Sequence, residues 1–495
     1  MTDRTRRALA VLASALVLGI SGDVLRTWLP ARLDFTLWAT LFLLTATALI
    51  RARALSAPAG AGWLAGVAWL LIACLIWRDA EALFVLNCLG LAGLLAVGAP
   101  VTGMRSLGRL GVSELARGAA FLGVETAAGP LPAVARDIAW AELPLTPRTR
   151  RVGSVVLGLA AAVPVLLLFG GLFGEADPLF QQTMNEILHF DLEHLFFTGF
   201  VAWLAAGALR GGLWREGRAP AWEIGPGGMV SGGALVGFIG GIAALFALFV
   251  GFQARELFLD SDQFQALTGV TIAEYARGGF FELLWVAILT MPLLLGADWL
   301  LARGEPAEVR RVRWVTGALL ALLVPVLASA VHRMILYVSY YGLTDDRFYA
   351  LAFMAWLAWL FAWYAGTVLR GQRSRFLPGA LAGGYLLLLL LNVVNPDAVV
   401  AGVNLRRAAA GAPLDAVFLS RLSTDALPTI VEHAPSLSQP DRCAVSVRIH
   451  ERWDSVVTGA GPGAVWNLSR KGLPPLLEEA ALDGSGCPPL PPPES

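Results

Sequence analysis

The sequence predicts an all-α, polytopic membrane protein with about eleven transmembrane helices and a small, mainly helical C-terminal domain outside the membrane. Of the 495 residues, 57% are hydrophobic and only 15% are charged. Many apolar residues fall in unbroken runs near the roughly 20 residues that a helix needs to cross a ~30 Å hydrocarbon core. The formal net charge is zero, which gives no electrostatic reason for binding nucleic acid. The lipid bilayer is therefore the first predicted partner, and no nucleic-acid partner is expected.

The apolar runs are taken as spans in chain order. They cover residues 8–28, 33–50, 60–77, 82–101, 152–173, 195–213, 229–252, 279–301, 314–340, 348–369 and 377–394. The first run follows Arg4, Arg6 and Arg7, as the apolar part of a secretory signal would. We favour an uncleaved first helix, because the apolar stretch continues past Asp23 and the next run begins at Leu33.

Arginine is concentrated on alternate predicted loops. The richest loops are 105–151, 303–313, 210–218 and 370–375, and the N-terminus and the loop with Arg51 and Arg53 belong to the same set. Short cytoplasmic loops are enriched in Lys and Arg. The pattern therefore predicts a cytoplasmic N-terminus and an extracytoplasmic C-terminal domain.

This topology divides the chain into four segments. Residues 1–104 hold the N-terminal transmembrane helices, 105–151 form a cytoplasmic interfacial segment, 152–395 form the main transmembrane domain, and 396–495 form the extracytoplasmic C-terminal domain. The interfacial segment is moderately amphipathic and contains several arginines, which favours a helix lying on the anionic inner leaflet. A regulatory docking site is the alternative interpretation of that segment.

Polar side chains gather at the predicted outer ends of the spans. In a helix, Arg333, Tyr337 and Tyr340 share a face, because positions three and four apart lie one above the other. Together they predict a polar, aromatic stripe at the end of a span. The candidate outer-face site comprises Arg277, Glu282, His332, Arg333, Tyr337, Asp345, Arg347 and Asp397.

Charged side chains near the membrane boundary need water or a partner, since charge at a helix centre costs roughly 2.5 to 3.5 kcal/mol on insertion scales. We therefore expect Arg333 or Arg347 to pair with an acidic residue of the same site. The candidate partners are Glu282, Asp345 and Asp397. Contact with a ligand is the alternative use of these charges.

Two patterns indicate helix capping. Thr271 and Glu274 have the Thr-x-x-Glu form of a capping box, which satisfies orphan amides at a helix start. Asn395 as N-cap, Pro396 as first helical residue and Asp397 near the positive helix terminus predict a new helix at the outer surface. Turning the chain at a corner is the favoured role of this second pattern.

Histidine and cysteine give few candidate sites. His189 and Glu193 share a helical face but His194 points elsewhere, so a solvated amphipathic turn is favoured over a metal site, and neither a metal nor a cofactor is predicted. In an oxidising envelope compartment, Cys443 and Cys487 indicate a disulfide. The remaining cysteines, Cys74 and Cys88, lie inside spans and are interpreted as small core residues.

Three ordered motifs resemble a known family. They are TIAEYARGGFFEL at 271–283, the segment from His332 to Arg347 that ends in YGLTDDR, and NPDA at 395–398 followed by NLR at 404–406. This set resembles the bacterial multi-pass membrane family known as domain of unknown function 4173 and its sister family 4153. The resemblance implies a bacterial inner-membrane location and a helical architecture. It implies no activity and no catalytic residues.

Three classes of function remain open. The span interiors are almost free of polar residues, which disfavours a proton-coupled carrier. The favoured class is a structural, sensory or assembly protein of the cell envelope, with an envelope lipid or protein as partner on the outer face. One alternative is a membrane-embedded enzyme acting on a lipid-linked or envelope substrate, in which Arg333 and Arg347 bind an anionic group and Glu282 or His332 acts as acid or base. A transporter or channel is the other alternative.

Overall fold

The computed structural model describes residues 1–102, 110–142, 190–214, 231–256, 280–301, 305–458 and 466–471, with a few isolated positions between 169 and 180. These residues are almost entirely helical, with no β-strand among them. The earlier helices are α1 (Asp3–Trp28), α2 (Leu33–Arg51), α3 (Ala61–Trp77), α4 (Glu81–Val101), α5 (Val112–Ala128), α6 (Phe190–Leu213), α7 (Gly232–Glu256) and α8 (Phe280–Leu300). The later helices are α9 (Pro306–Tyr341), α10 (Asp345–Thr367), α11 (Phe376–Val394), α12 (Pro396–Ala409), α13 (Ala416–Arg421), α14 (Leu427–His433), α15 (Gln439–Thr458) and α16 (Leu468–Lys471).

Many of these helices have the length and composition of membrane spans. Among the described residues, nine helices qualify, namely α1, α2, α4 and α6 to α11. Helix α3 is apolar throughout but has only 17 residues. The prediction of an all-α, multi-pass membrane protein is thus confirmed. The count of eleven stays a prediction, because the predicted span 152–173 falls mainly outside the described residues.

The described residues divide into two compact units. Unit 1 holds those within 1–77, 85–220 and 459–468, and unit 2 holds those within 78–84, 221–458 and 469–495. Each unit has its own apolar core. The two units are therefore described separately.

In unit 1, α1 packs closely along α6. Ala8, Val11, Ala15 and Leu18 recur at helical spacing on α1 and are almost fully buried. Gly19 continues this face, where an added Cβ would lie 2.8 Å from the Cβ of Ala202 on α6. Small residues at such contacts let two backbones approach closely, which is how helices associate in membranes.

Helix α5 lies within the segment 105–151 and packs against α6 in unit 1. Gly118, Leu122 and Glu125 form its buried face. Gly207 and Gly211 of α6 lie directly against Glu125, with no room for a side chain. The interfacial membrane location expected for this segment stays a prediction.

The core of unit 2 is built by α7 to α11. Leu294, Leu319, Leu323 and Met354 are almost fully buried there. Helix α11 packs on α10 through glycines that face indole rings, with Gly379 against Trp363. These helices therefore pack together as one bundle in unit 2.

The C-terminal lobe, residues 396–458, contains α12 to α15 and belongs to unit 2. Its core includes Val400 and Leu405 from α12 and Ile430 from α14, all almost fully buried. Leu343, from the turn between α9 and α10, is part of the same core. The lobe therefore shares its apolar core with the end of the helix bundle.

Candidate functional site

The turn between α9 and α10 is a sharp corner. Helix α9 ends at Tyr341, and Gly342 follows with φ of +81°. Glycine reaches this left-handed region without the strain that a side chain would cause. Asn404 and Arg407 approach the glycine so closely that a Cβ would also clash with them. The backbone angle and the neighbouring side chains thus both favour glycine at position 342.

Two side chains of α12 fix this corner. Asn404 accepts a hydrogen bond from the Leu343 N–H at 3.0 Å and donates one to the Leu343 carbonyl at 2.6 Å. Arg407 donates to the carbonyls of Ser339 and Tyr340 at 2.9 and 3.0 Å. The last carbonyls of a helix lack partners within the helix and carry its negative end, so a guanidinium there is favourable.

Arg347 stabilises the corner from the first turn of α10. It donates to the Gly342 carbonyl, and its guanidinium carbon lies 4.0 Å from the ring centroid of Tyr337. An arginine over an aromatic face is attracted by the ring quadrupole. Among the described residues, Arg347 makes these contacts and no ion pair.

A second corner joins α11 to the C-terminal lobe. Asn395 has φ of +60°, and its side chain accepts a hydrogen bond from the Ala398 N–H at 3.3 Å. Pro396 is the first residue of α12. The amide of Asn395 also donates to the Asp425 carbonyl at 2.9 Å. The N-cap of α12 is thereby connected to a distant part of the lobe.

A group of buried charges, the aspartate network, lies beside this second corner. We define it as Arg78, Asp79, Asp397, Asp425 and Arg470, all in unit 2. Asp79 and Asp425 are each 3% exposed. Buried carboxylates require hydrogen bonds or cations as compensation. The contacts of each acid therefore show what the network does.

Asp425 binds the chain just before α4. Its Oδ2 atom accepts hydrogen bonds from the N–H groups of Asp79 and Ala80 at 2.7 and 2.9 Å. Its Oδ1 atom accepts a hydrogen bond from the Ser469 hydroxyl and lies 3.8 Å from a guanidinium nitrogen of Arg78. One side chain of the lobe thus holds the entry to α4 and the segment around Ser469.

Asp79 in turn accepts hydrogen bonds from the residue next to Asp425. Its Oδ2 atom accepts from the backbone N–H and the hydroxyl of Thr424 at 3.2 and 3.0 Å. Its Oδ1 atom accepts from Arg470 Nε at 2.9 Å. The neighbouring Arg78 donates to the carbonyls of Asn392 and Val393, at the end of α11, at 2.6 and 3.3 Å. The network therefore joins four separate segments of the chain at one end of unit 2.

Asp397 is the third carboxylate of the network and is 6% exposed. It accepts a hydrogen bond from the Ser423 N–H at 2.9 Å. Burial raises the pKa of the Asp397 carboxyl above its ordinary value, and the charges of Asp425 and Asp79 act in the same direction, whereas the hydrogen bonds from Ser423 lower it. A proton is consequently held more firmly at Asp397 than on a solvated aspartate.

Two polar groups near this network lack hydrogen bonds among the described residues. Asp345 Oδ1 and the Tyr349 hydroxyl are buried atoms with no such partner. They stand one helical turn apart on α10. The carboxylates of Asp397, Asp345 and Asp425 all lie within electrostatic range of the Tyr349 hydroxyl. Asp345 Oδ1 and the Tyr349 hydroxyl therefore take no part in the hydrogen bonds that hold the corners and the lobe.

The predicted site residues are distributed unevenly over this arrangement. Tyr337 and Arg347 meet directly, whereas Glu282 is exposed and forms no hydrogen bond or ion pair with the described residues. His332 is exposed and Arg333 is half-buried on α9. Four further predicted residues lie outside the described residues, namely Arg277, Thr271, Glu274 and Cys487. The predicted convergence of all three motifs at one site stays a prediction.

The sequence reasoning missed most of the aspartate network. Arg78 and Asp79 directly follow an apolar run, and Asp425 and Arg470 lie in the C-terminal region. Charges placed at the end of a span are a usable signal, because they are costly without a partner. The sequence holds no signal that pairs Asp79 with Asp425.

The cysteine and histidine side chains are not part of the aspartate network. Cys443 is half-buried in α15 and is disulfide-bonded. Its pairing with Cys487 stays a prediction, since Cys487 lies outside the described residues. Cys74 and Cys88 are not disulfide-bonded. His194 Nδ1 lies 2.7 Å from Asp23 Oδ2 in unit 1.

Unit 1 contains a buried ionic network of its own. Arg210 on α6 binds Glu125 and lies 2.8 Å from Asp137. Arg4 contacts the other oxygen of Asp137 at 2.7 Å. Two cations thus balance two acids, and α1, α5, α6 and the helical turn Ala133–Asp137 are held together.

The fold and these sites define a multi-pass, helical membrane protein whose polar clusters lie at helix ends. The family model for a domain of unknown function, DUF4153, matches residues 65–433. The chain belongs to this family, which is one of the two sister families that the motifs resemble. Neither a curated protein nor a solved structure shows significant similarity to the chain.

Proposed function

We propose that the protein is a structural or assembly component of the bacterial cell envelope, with the C-terminal lobe as its contact surface. The strongest support is that polar side chains of the motifs bind backbone groups of the protein itself. Asn395, Asn404 and Arg347 bind backbone groups at two corners of unit 2. Side chains occupied in this way hold a lobe in place and leave few groups for catalysis.

The apolar contacts support the same proposal. Leu343 of the α9–α10 corner is buried in the core of the lobe, and Phe348 of α10 packs against it. A lobe that shares a core with the spans moves with them as one body. A fixed orientation relative to the bundle is what a docking platform for an envelope partner requires.

We also propose that the lobe faces the outside of the inner membrane and that the N-terminus is cytoplasmic. Arg78, Gly342 and Asn395 lie in three loops for which the arginine distribution predicts the outer side. All three contribute to the contacts at one end of unit 2, which supports a common side. Alkaline-phosphatase fusions after Pro396 should be active and fusions near Gly371 inactive, and the opposite pattern would overturn this orientation.

A second candidate function is a membrane-embedded enzyme acting at the outer leaflet. It is favoured by one observation, the buried Asp345 Oδ1 and Tyr349 hydroxyl without hydrogen-bond partners among the described residues. Buried polar atoms without partners are uncommon and can mark a binding or catalytic site. A substrate hydroxyl or phosphate would supply the missing hydrogen bonds.

The two candidates predict opposite phenotypes for a matched pair of variants. Asp425→Ala removes the acceptor that holds the lobe, whereas Tyr349→Phe removes only a hydroxyl without a partner among the described residues. We expect deletion of the gene to lower resistance to detergent, and we expect the wild-type protein and Tyr349→Phe, but not Asp425→Ala, to restore it. Loss of complementation by Tyr349→Phe at normal protein levels would favour the enzyme.

Photo-crosslinking tests the contact surface directly. Photoreactive amino acids are placed at Glu432 and Gln439, which are exposed on the lobe, and at Leu386 on α11 as an exposed control outside the lobe. We expect the lobe positions to crosslink to a discrete envelope protein in cells, and the control position to give no such product. Crosslinks to lipid alone from all three positions would overturn the scaffold proposal.

A further inference from the structure

A long apolar groove in unit 1 is independent of the site described above. It lies between α2, α3, α4 and α6 and encloses a cavity of about 550 Å³. Helix α2 lines it with one face, from Phe35 through Trp38, Phe42 and Ala46 to Ile50. At 1.5 Å per residue, this face is roughly 23 Å long, which is most of the ~30 Å hydrocarbon core.

Small side chains create the space. Ala65 and Ala68 of α3, Ala92 of α4, and Ala208 and Gly212 of α6 line the groove opposite the large residues of α2. Helix faces made of alanine and glycine normally allow neighbouring helices to pack closely together. Here they border a cavity, so another apolar group has room to lie between the helices.

The chemistry of the walls identifies that group. The lining side chains are aliphatic or aromatic, apart from Thr47, Cys88 and Thr126 within the groove and Arg51 at its end. Water is not stable in a cavity of this kind, because it finds too few hydrogen-bond partners. Within a bilayer, the abundant ligand that is both long and apolar is a lipid acyl chain.

The charge at one end of the groove indicates the headgroup. Arg51, the last residue of α2, lines that end, and Arg53 follows two residues later. Both side chains are exposed, and neither forms an ion pair with the described residues. Guanidinium groups bind phosphate oxygens well, since their donors match the geometry of the anion.

We propose that this groove binds one acyl chain of an anionic phospholipid, with its phosphate at Arg51 and Arg53. The chain lies along the face of α2 between Phe35 and Ile50. Bound lipid fills the cavity and completes the packing of unit 1. The site does not depend on the proposed role of the C-terminal lobe.

The test uses the full-length protein in proteoliposomes that contain phosphatidylglycerol with a diazirine in one acyl chain. After irradiation, labelled peptides are quantified by mass spectrometry. We expect labelling to concentrate on the groove faces of α2 and α3. A parallel probe with a phosphatidylcholine headgroup should label these faces at least threefold less.

Matched variants separate the groove from general lipid contact. Ala65→Phe fills the groove, whereas Ala73→Phe adds the same bulk at an exposed position of the same helix that does not line the groove. We expect Ala65→Phe to reduce groove labelling at least fivefold and Ala73→Phe to leave it unchanged. Ala92→Phe, on α4, fills the groove from another side and should act like Ala65→Phe if either variant folds poorly.

The headgroup contact has its own variant. Replacing both Arg51 and Arg53 by Gln should lower labelling by the phosphatidylglycerol probe to the level of the phosphatidylcholine probe. Uniform labelling of all lipid-facing helices, or labelling that Ala65→Phe and Ala92→Phe leave unchanged, would overturn the acyl-chain site. Equal labelling by the two probes in the wild-type protein would overturn the anionic headgroup.

Discussion

The two buried ionic networks of this protein are built in different ways. In unit 1, Arg210 and Arg4 balance Glu125 and Asp137, and the contacts between them are ion pairs. In unit 2, by contrast, backbone N–H groups donate to the carboxylates of Asp79, Asp397 and Asp425. The first network joins side chains on different helices, whereas the second also fixes the backbone of two loops.

This difference has an energetic consequence. Removing one partner of a buried ion pair leaves an uncompensated charge. Removing a carboxylate that accepts amide hydrogen bonds leaves buried donors unsatisfied, at about 1 to 3 kcal/mol each. Unit 1 should therefore be most sensitive to the loss of a cation, and unit 2 to the loss of an acceptor oxygen.

The largest effect is expected for Arg210→Met in unit 1. Arg210 is 7% exposed, and its loss leaves Glu125 and Asp137 with insufficient compensation. We expect the free energy of unfolding, measured by titration with sodium dodecyl sulfate, to fall by about 3 to 5 kcal/mol.

Two further variants test this explanation. Adding Glu125→Gln and Asp137→Asn to Arg210→Met should restore part of the lost stability, since fewer buried charges remain. Arg6→Met is the control, because Arg6 pairs with Asp3 at the surface and such pairs contribute less than about 1 kcal/mol. Equal losses for Arg210→Met and Arg6→Met would contradict the proposed difference between the networks.

In unit 2, Asp425→Ala should be the next most damaging change. It leaves the amides of Asp79 and Ala80 without their acceptor, which at about 1 kcal/mol or more for each amide lowers the free energy of unfolding by at least about 2 kcal/mol. Asp425→Asn keeps one acceptor oxygen, so its free energy of unfolding should fall by about half as much. Limited proteolysis of the lobe provides the measurement, and identical cleavage rates for the two variants would show that charge, and not hydrogen bonding, holds the network.

Asp397 predicts a dependence on pH. Because its pKa is raised in the folded protein above the ordinary value of 3.8, it contributes stability that is full below that value and is lost as the pH rises through the folded pKa. The melting temperature of the wild-type protein should therefore fall relative to that of Asp397→Asn as the pH increases from about 4 to 7. A difference that is constant or that changes in the opposite direction would be inconsistent with the burial of this carboxyl.

The smallest effect is expected for Arg4→Met. Its side chain is 50% exposed, so water and salt screen its contact with Asp137. We expect the free energy of unfolding to fall by less than about 1 kcal/mol, and this difference should disappear in high salt. Arg470→Met is the matched change in unit 2, where the arginine is 22% exposed and should matter more.

The sequence predicts the helices of this protein well and its long-range contacts poorly. Apolar runs reveal spans because the thickness of a bilayer fixes their length, and the Asn395–Pro396 pair indicates a helix start through local chemistry. Asp79 and Asp425, however, are 346 residues apart. Their contact depends on how the helices pack, which no local pattern in one sequence encodes.

The same separation sets an order of events during synthesis. Ribosomes add roughly 5 to 20 residues per second, so the roughly 350 residues between Asp79 and Asp425 take about 20 to 70 s to make. Until then, the amides of Asp79 and Ala80 have no Asp425 carboxylate to bind, and Arg470 is translated later still. The aspartate network is thus completed only after Arg470 has been made, and a product that stops before Asp425 would leave the amides of Asp79 and Ala80 without their acceptor and open to membrane proteases.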